Sequence, residues 1–283
     1  MKKQEGIISP ENIKLISDFK NWLYGEFDLS ECTIKGYTDS MNLFFRKYES
    51  ANKQNYKRFL SEMDLNGLKP QTCNVRINAF NKFSEFIGDN GLKLKTIKLE
   101  RTLFLENIPS EKHYQKLVEY LSKHKNKEYL FWVRVLGCTG ARIGEFLQFT
   151  WEGLSKGEFI VKGKGNKCRT FFVPKQLSSE ISEYAKLNNK KGRFALNRYG
   201  SPVTSRGVSQ QLVYWGEQLG FPKGMIHPHA FRHFFAKQYL KTSKNDIVQL
   251  AQILGHGSLD ITRIYTMKSK KEQKKDFNKF VNW

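Results

Sequence analysis

Five short segments carry residue types suited to handling phosphate, and they come in a definite order. Thr139-Gly140-Ala141-Arg142-Ile143-Gly144-Glu145 puts an arginine at the first turn of a helix. Lys162-Gly163-Lys164-Gly165-Asn166-Lys167 puts lysines in a hairpin turn. His229-Ala230-Phe231-Arg232 puts a histidine and an arginine at i and i+3, on one helix face. Leu254-Gly255-His256 follows, and Tyr265 lies nine residues beyond His256. Four of the six histidines, His227, His229, His233 and His256, fall within thirty residues. A metal cluster is one reading of them. Against it, no Asp, Glu or Cys stands at ligand spacing, and the guanidinium of Arg232 in their midst opposes a metal ion and favours a phosphate. A plainer reading of His227 and His233 is capped or solvated helix histidines. The Gly-Lys-Gly turn lacks the G-x-x-x-x-G-K-[ST] pattern of a nucleotide loop.

Taken in order, the segments resemble those of the tyrosine recombinase (phage integrase) family, close to its simple Xer-like members, over nearly the whole chain. The family's set of Arg, Lys, His-x-x-Arg, His or Trp, then Tyr falls on Arg142, Lys164, His229, Arg232, His256 and Tyr265. Leu254-Gly255-His256-Gly257-Ser258 through Thr262 to Tyr265 matches the family's last motif. Pro70-Gln71-Thr72 through Phe83 looks like the last helix of its N-terminal DNA-binding domain. Ala141 and Phe231 depart from the commoner leucine, both as buried-type substitutions.

The resemblance implies a catalytic plan that the residue types suit. A tyrosine hydroxyl, with an ordinary pKa of about 10, needs cations and a proton acceptor to attack a phosphodiester. Arg142 and Arg232 clamp the nonbridging oxygens. Lys164 protonates the leaving 5′ oxygen; it is preferred over Lys162, Lys167 and Arg169 because it lies within Gly-Lys-Gly. His229 is the general base or a proton shuttle, and His256 donates a hydrogen bond to the phosphate. Glu145, at i+3 from Arg142, orients the site or else pairs with a surface lysine. Taken alone, Tyr265 reads as a packed tyrosine near a helix end; the upstream set reverses that. No cofactor is implied, since the phosphotyrosine bond stores the energy of the broken phosphodiester. The implied partners are double-stranded DNA with a specific recombination site and a homo-tetramer exchanging C-terminal tails through a four-way junction, with room for an accessory DNA-bending protein.

The elements that position these residues are mainly helical. Ile13, Ile16, Phe19 and Leu23 recur at helical spacing, and Ser30 can cap a helix carrying Ile34, Tyr37, Met41 and Phe45. A third helix lies near 55–63, and a fourth follows Pro70 with Val75, Ile77, Phe80, Phe83 and Phe86. Residues 1–91 thus form a helical bundle expected to grip DNA, and 92–109 a linker. Residues 110–283 form the catalytic domain. Ser110 caps its first helix, to about Ser122; others cover 128–136, a stretch from Ala141, 177–187, 205–219, 230–241, 246–254 and 259–265. Glu158–Lys162 and Arg169–Val173 alternate as two strands of a small antiparallel sheet. The tail, 268–283, is basic with an apolar stripe and suits docking in a neighbouring subunit or on its own domain. The whole is expected to close as a clamp around DNA.

The composition fits such a partner. The 283 residues carry a formal net charge of +21, a strong pointer to a polyanion; an AT-rich genome also inflates Lys and Asn. Residues 1–108 hold 17 basic and 14 acidic side chains, and 109–283 hold 31 and 13. No apolar run is long enough for a membrane span or secretion signal, so the expected compartment is the cytoplasm. Cys32, Cys73, Cys138 and Cys168 are scattered and read as free thiols. Three rival functions have discriminators. A type IB topoisomerase would relax supercoils without sequence preference. A catalytically inert DNA-binding protein would bind a site and form no covalent bond. A metal-dependent nuclease, suggested by the histidines, would lose activity to a chelator.

Overall fold

The computed structural model describes residues 6–99, 108–163, 168–197, 199–255, 258–266, 274 and 277–279. The chain divides into two compact units, Met1–Arg101 and Thr102–Trp283. Among the described residues no helix is long and apolar enough to cross a membrane.

The first unit is built on α1 (Pro10–Glu26), α2 (Glu31–Phe45), α3 (Lys53–Leu65) and α4 (Pro70–Phe86). Local chemistry sets the starts. Ser9, Ser30 and Asn52 accept N-cap hydrogen bonds, and Pro10 and Pro70 occupy first-turn positions where a missing N–H costs nothing. The core is aromatic. The Phe44 ring meets Phe45, Tyr48, Tyr56, Phe59 and Phe80 with centroids 5.0–5.6 Å apart. Two residues expected to face inward do not. In α1 the buried stripe is Asn12, Ile16, Phe19 and Leu23, with Asn12 donating to Glu49 O at 2.9 Å, which rotates Ile13 outward by one position. In α4 the stripe runs through Cys73, Ile77, Phe80 and Phe83, leaving Val75 on the far face. Part of the expected linker belongs to this unit. Asn81 exchanges hydrogen bonds with both backbone groups of Leu94, at 2.8 and 2.9 Å, and Asn74 does the same with Ile97, at 2.7 and 2.9 Å.

The second unit contains α5 (Glu111–Ser122), α6 (Lys127–Thr139), α7 (Ile143–Phe146), α8 (Trp151–Lys156), β1 (Glu158–Lys162), β2 (Cys168–Phe172), α9 (Lys175–Leu187), α10 (Ser205–Gln218), α11 (Pro228–Thr242), α12 (Ile247–Leu254) and α13 (Leu259–Arg263), followed by a 3-10 turn at Ile264–Thr266. Ser110 caps α5 as expected. α6 buries residues on nearly all sides, among them Phe131, Trp132, Val133, Val135 and Leu136, so it is the central helix of this unit. β1 and β2 pair antiparallel, Val161 opposite Arg169 and Phe159 opposite Phe171. The helix expected from Ala141 begins two residues later, at Ile143, with Arg142 as its N-cap, and α8 falls where no helix was expected. A separate small core of Ala236, Leu240, Leu250, Leu254 and Tyr265 joins α11, α12 and the 3-10 turn. Phe277 of the tail is exposed.

Candidate active site

The site is assembled where α6 and α12 both end. α6 stops at Gly140, whose φ of +57° lies in the left-handed region. A Cβ there would come within 2.5 Å of Phe235, so both conformation and space call for glycine. The chain then turns through buried Ala141 to Arg142. The Glu145 carboxylate reaches back to the Arg142 backbone N–H at 2.7 Å and accepts from Arg142 Nη1 at 3.0 Å. A third donor, Arg169 Nη1 on β2, meets the same carboxylate at 2.8 Å. Glu145 is therefore a buried anion held by two guanidiniums. Its side chain is 5% exposed, and among the described residues no lysine pairs with it.

α12 ends at Gly255, also left-handed with φ +62°. The last carbonyls of a helix have no partner within it. Here three arginines serve three successive ones. Arg169 Nε donates to Ile253 O at 2.7 Å, Arg232 Nη2 to Leu254 O at 2.7 Å and Arg142 Nη2 to Gly255 O at 3.3 Å. Arg232 Nη1 also donates to Gly140 O at 2.9 Å, so one buried guanidinium joins the ends of α6 and α12. Arg232 is 2% exposed, whereas the Arg142 side chain is 46% exposed.

α11 supplies His229, Arg232 and His233 from one face. The His229 and His233 rings lie 4.1 Å apart, and the His233 ring is 5.3 Å from that of Tyr265. Tyr265 is 4% exposed. Burial raises its hydroxyl pKa above the ordinary value, while a hydrogen bond from Arg232 and the charges of Arg232 and Arg142 pull the other way. Burial is also the first cause at the histidines. It lowers His229, aided by Arg232, His227 and Arg142, and brings His233 down to about 4, aided by His229, His227 and Arg232. Both imidazoles are neutral at pH 7. Burial lowers Arg169 to about 10, so it remains a cation there.

Arg142, Glu145, His229, Arg232 and Tyr265 thus lie in one neighbourhood, linked by these contacts. Lys164 and His256 lie outside the described residues. No group of three or more His, Cys, Asp or Glu suited to a metal ion occurs among the described residues. Two members of the neighbourhood escaped the sequence reading. His233 enters there only as a member of a possible metal cluster or as a capped or solvated helix histidine, although its i+4 offset from His229 puts it on the same face. Arg169 was considered only as a rival to Lys164. Its signal was strand alternation, which sets it on the inward face with Phe171.

A mainly helical unit that holds a tyrosine hydroxyl against arginine, with neutral histidines adjoining, has the makings of a phosphoryl-transfer site. A family model described as the phage integrase family matches residues 109–272, and the chain belongs to that family, the tyrosine recombinases. The tyrosine recombinase XerA of Pyrococcus furiosus is 28% identical over 270 residues, covering 92% of each chain. The fold is similar to that of the XerH site-specific recombinase bound to palindromic difH substrate in a post-cleavage complex. That match has a TM-score of 0.71 at 17% identity and covers 98% of this chain and 97% of that one. It is also similar to a lambda integrase tetramer bound to a Holliday junction, with TM-score 0.71 at 14% identity, covering 89% and 76%.

Proposed function

We propose that the protein is a site-specific DNA recombinase whose nucleophile is Tyr265. The observation that carries this reading is the buried Tyr265 phenol, its hydroxyl pKa pulled down by the charges of Arg232 and Arg142 against its burial, in a chain of this family. The tyrosine oxygen attacks a backbone phosphorus, forming the Tyr–O–P bond as the P–O5′ bond breaks. The DNA is left joined to the enzyme through its 3′ phosphate, and the 5′ oxygen departs as a hydroxyl. Arg142 and Arg232 bind the nonbridging oxygens, where negative charge builds in the transition state. Both guanidiniums now spend donors on α12 carbonyls, so the phosphate takes its place beside contacts that already fix their planes. His229, kept neutral by burial and by neighbouring cations, can accept the phenol proton at pH 7. Lys164 protonates the 5′ oxygen, His256 donates to the phosphate, and Glu145 holds Arg142. Attack by a 5′ hydroxyl from another strand reverses the step and completes the exchange, so the reaction as written calls for no cofactor.

The helical bundle of the first unit and the basic second unit both bind duplex DNA. The working assembly is a tetramer on two duplexes, as the junction-bound lambda integrase is a tetramer. Tail 268–283 docks on a neighbour. An accessory DNA-bending protein remains a further partner to look for, and the setting is the cytoplasm.

Covalent capture tests this reading. The protein and its Tyr265→Phe variant are incubated with sheared genomic DNA of the host and denatured, and the protein-linked DNA ends are sequenced. Wild type is expected to hold DNA at a shared short sequence and the variant none. Binding by both with capture by neither would sink the reading in favour of an inert DNA-binding protein. Capture without any shared sequence would favour a topoisomerase.

A further inference from the structure

Of the three arginines on the end of α12, two have been given phosphate-binding roles. The third, Arg169, is largely buried. Its side chain is 9% exposed, and its guanidinium carbon lies 4.2 Å from the centroid of the Phe171 ring. Nε is committed to Ile253 O and Nη1 to Glu145. Its stem fills the space beside Gly255, where a Cβ would approach Arg169 Cδ to 3.2 Å.

These contacts tie β2 to two pieces of chain that Arg142 and Arg232 also join to each other. In sequence, β2 begins four residues after Lys164. The Glu145 carboxylate fixes both the backbone N–H and the side chain of Arg142. The end of α12 leads directly to His256 and onward to Tyr265. A planar fork can meet two acceptors lying in different directions while its face rests on an aromatic ring; an ammonium is a single point charge and cannot. We propose that Arg169 is a positioning residue for strand cleavage, holding β2, Arg142 (through Glu145) and the end of α12 in one frame without touching the DNA. This rests on the recombinase reading for its chemistry, though the frame itself is testable without DNA.

Two variants separate the possibilities. Arg169→Met removes the cation and both hydrogen bonds. Arg169→Lys keeps a charge for Glu145 but loses the fork. In the DNA-free protein, amide hydrogen exchange in a peptide covering 250–266 is expected to speed up by roughly tenfold in Arg169→Met and less in Arg169→Lys, while α6 keeps its protection. On a nicked duplex carrying the captured sequence, single-turnover cleavage should fall roughly tenfold to a hundredfold, the scale of a small misplacement of reacting groups. The dissociation constant for that duplex should stay within about twofold, and Arg169→Lys should recover part of the rate. Unchanged exchange and rate in Arg169→Met would overturn the proposal. So would affinity falling in step with rate, which would mark Arg169 as a phosphate contact. Loss of protection throughout the second unit in both variants would reduce it to a general structural residue. If wild type cleaves no DNA, the recombinase reading fails, and the exchange result alone decides whether Arg169 holds this frame.

Discussion

At Tyr265 burial and cations act in opposite directions. Burial favours the protonated phenol, and Arg232 with Arg142 favours the phenolate. A guanidinium fork is what lets Arg232 hold Leu254 O and Gly140 O together while its charge acts on Tyr265. Arg232→Lys should therefore lower single-turnover cleavage by about 10²-fold or more, even where the charge is kept. The histidines lead to a second expectation. Both His229 and His233 are lowered by burial, so the fold favours their neutral forms, and that stability is complete above the ordinary histidine pKa of about 6.5. It is lost as pH falls towards about 4, where His233 itself takes up a proton. The melting temperature of the second unit should drop across this window, and His233→Phe should flatten the drop. An equal drop in the variant would show that His233 contributes nothing to it. At this scale Arg142, Glu145, His229, Arg232 and Tyr265, which the structure brings together, stood out in the sequence because their types and order are unusual. Arg169 and His233 did not, since what matters in each is burial against particular neighbours, which sequence spacing only hints at.

The elements matter through their ends. α6 stops at Gly140 and α12 at Gly255, both left-handed, and the carbonyls they free become anchors for the arginines. Gly140→Ala would impose the left-handed penalty on a side chain, roughly 1–2 kcal/mol, and press a methyl against Phe235. The free energy of unfolding should fall by at least that much and lower the denaturation midpoint, with cleavage falling too because Arg142 follows two residues later. A midpoint at the wild-type value would show that the turn tolerates a Cβ and that its geometry does not set the site. The starts of α2, α4 and α5 were readable from Ser30, Pro70 and Ser110, where the capping chemistry is local. α8 was not, because six residues are too short to show a period. The strap at 93–97 was missed because Asn74 and Asn81 hold it by hydrogen bonds that leave no hydrophobic pattern.

For the whole molecule, charge is the governing quantity. The net charge of +21 is concentrated beyond residue 108, so counterion release should dominate DNA affinity. The logarithm of the association constant should fall linearly with the logarithm of salt concentration, with a slope set by the number of phosphates neutralised. A salt-independent affinity would contradict binding through the phosphate backbone. The two-unit organisation was readable from the change in charge and the aromatic helical stripes. The target sequence was not, since base readout depends on where helices meet the grooves and on how the DNA deforms. The central claim, that Tyr265 takes the DNA strand, is tested most directly by mapping the adduct. Captured complexes are digested with nuclease and trypsin and the modified peptide is sequenced by mass spectrometry. The account predicts a nucleotide joined through its 3′ phosphate to Tyr265, in the peptide spanning 264–268. A nucleotide on any other residue, or a 5′-phosphate linkage, would contradict it.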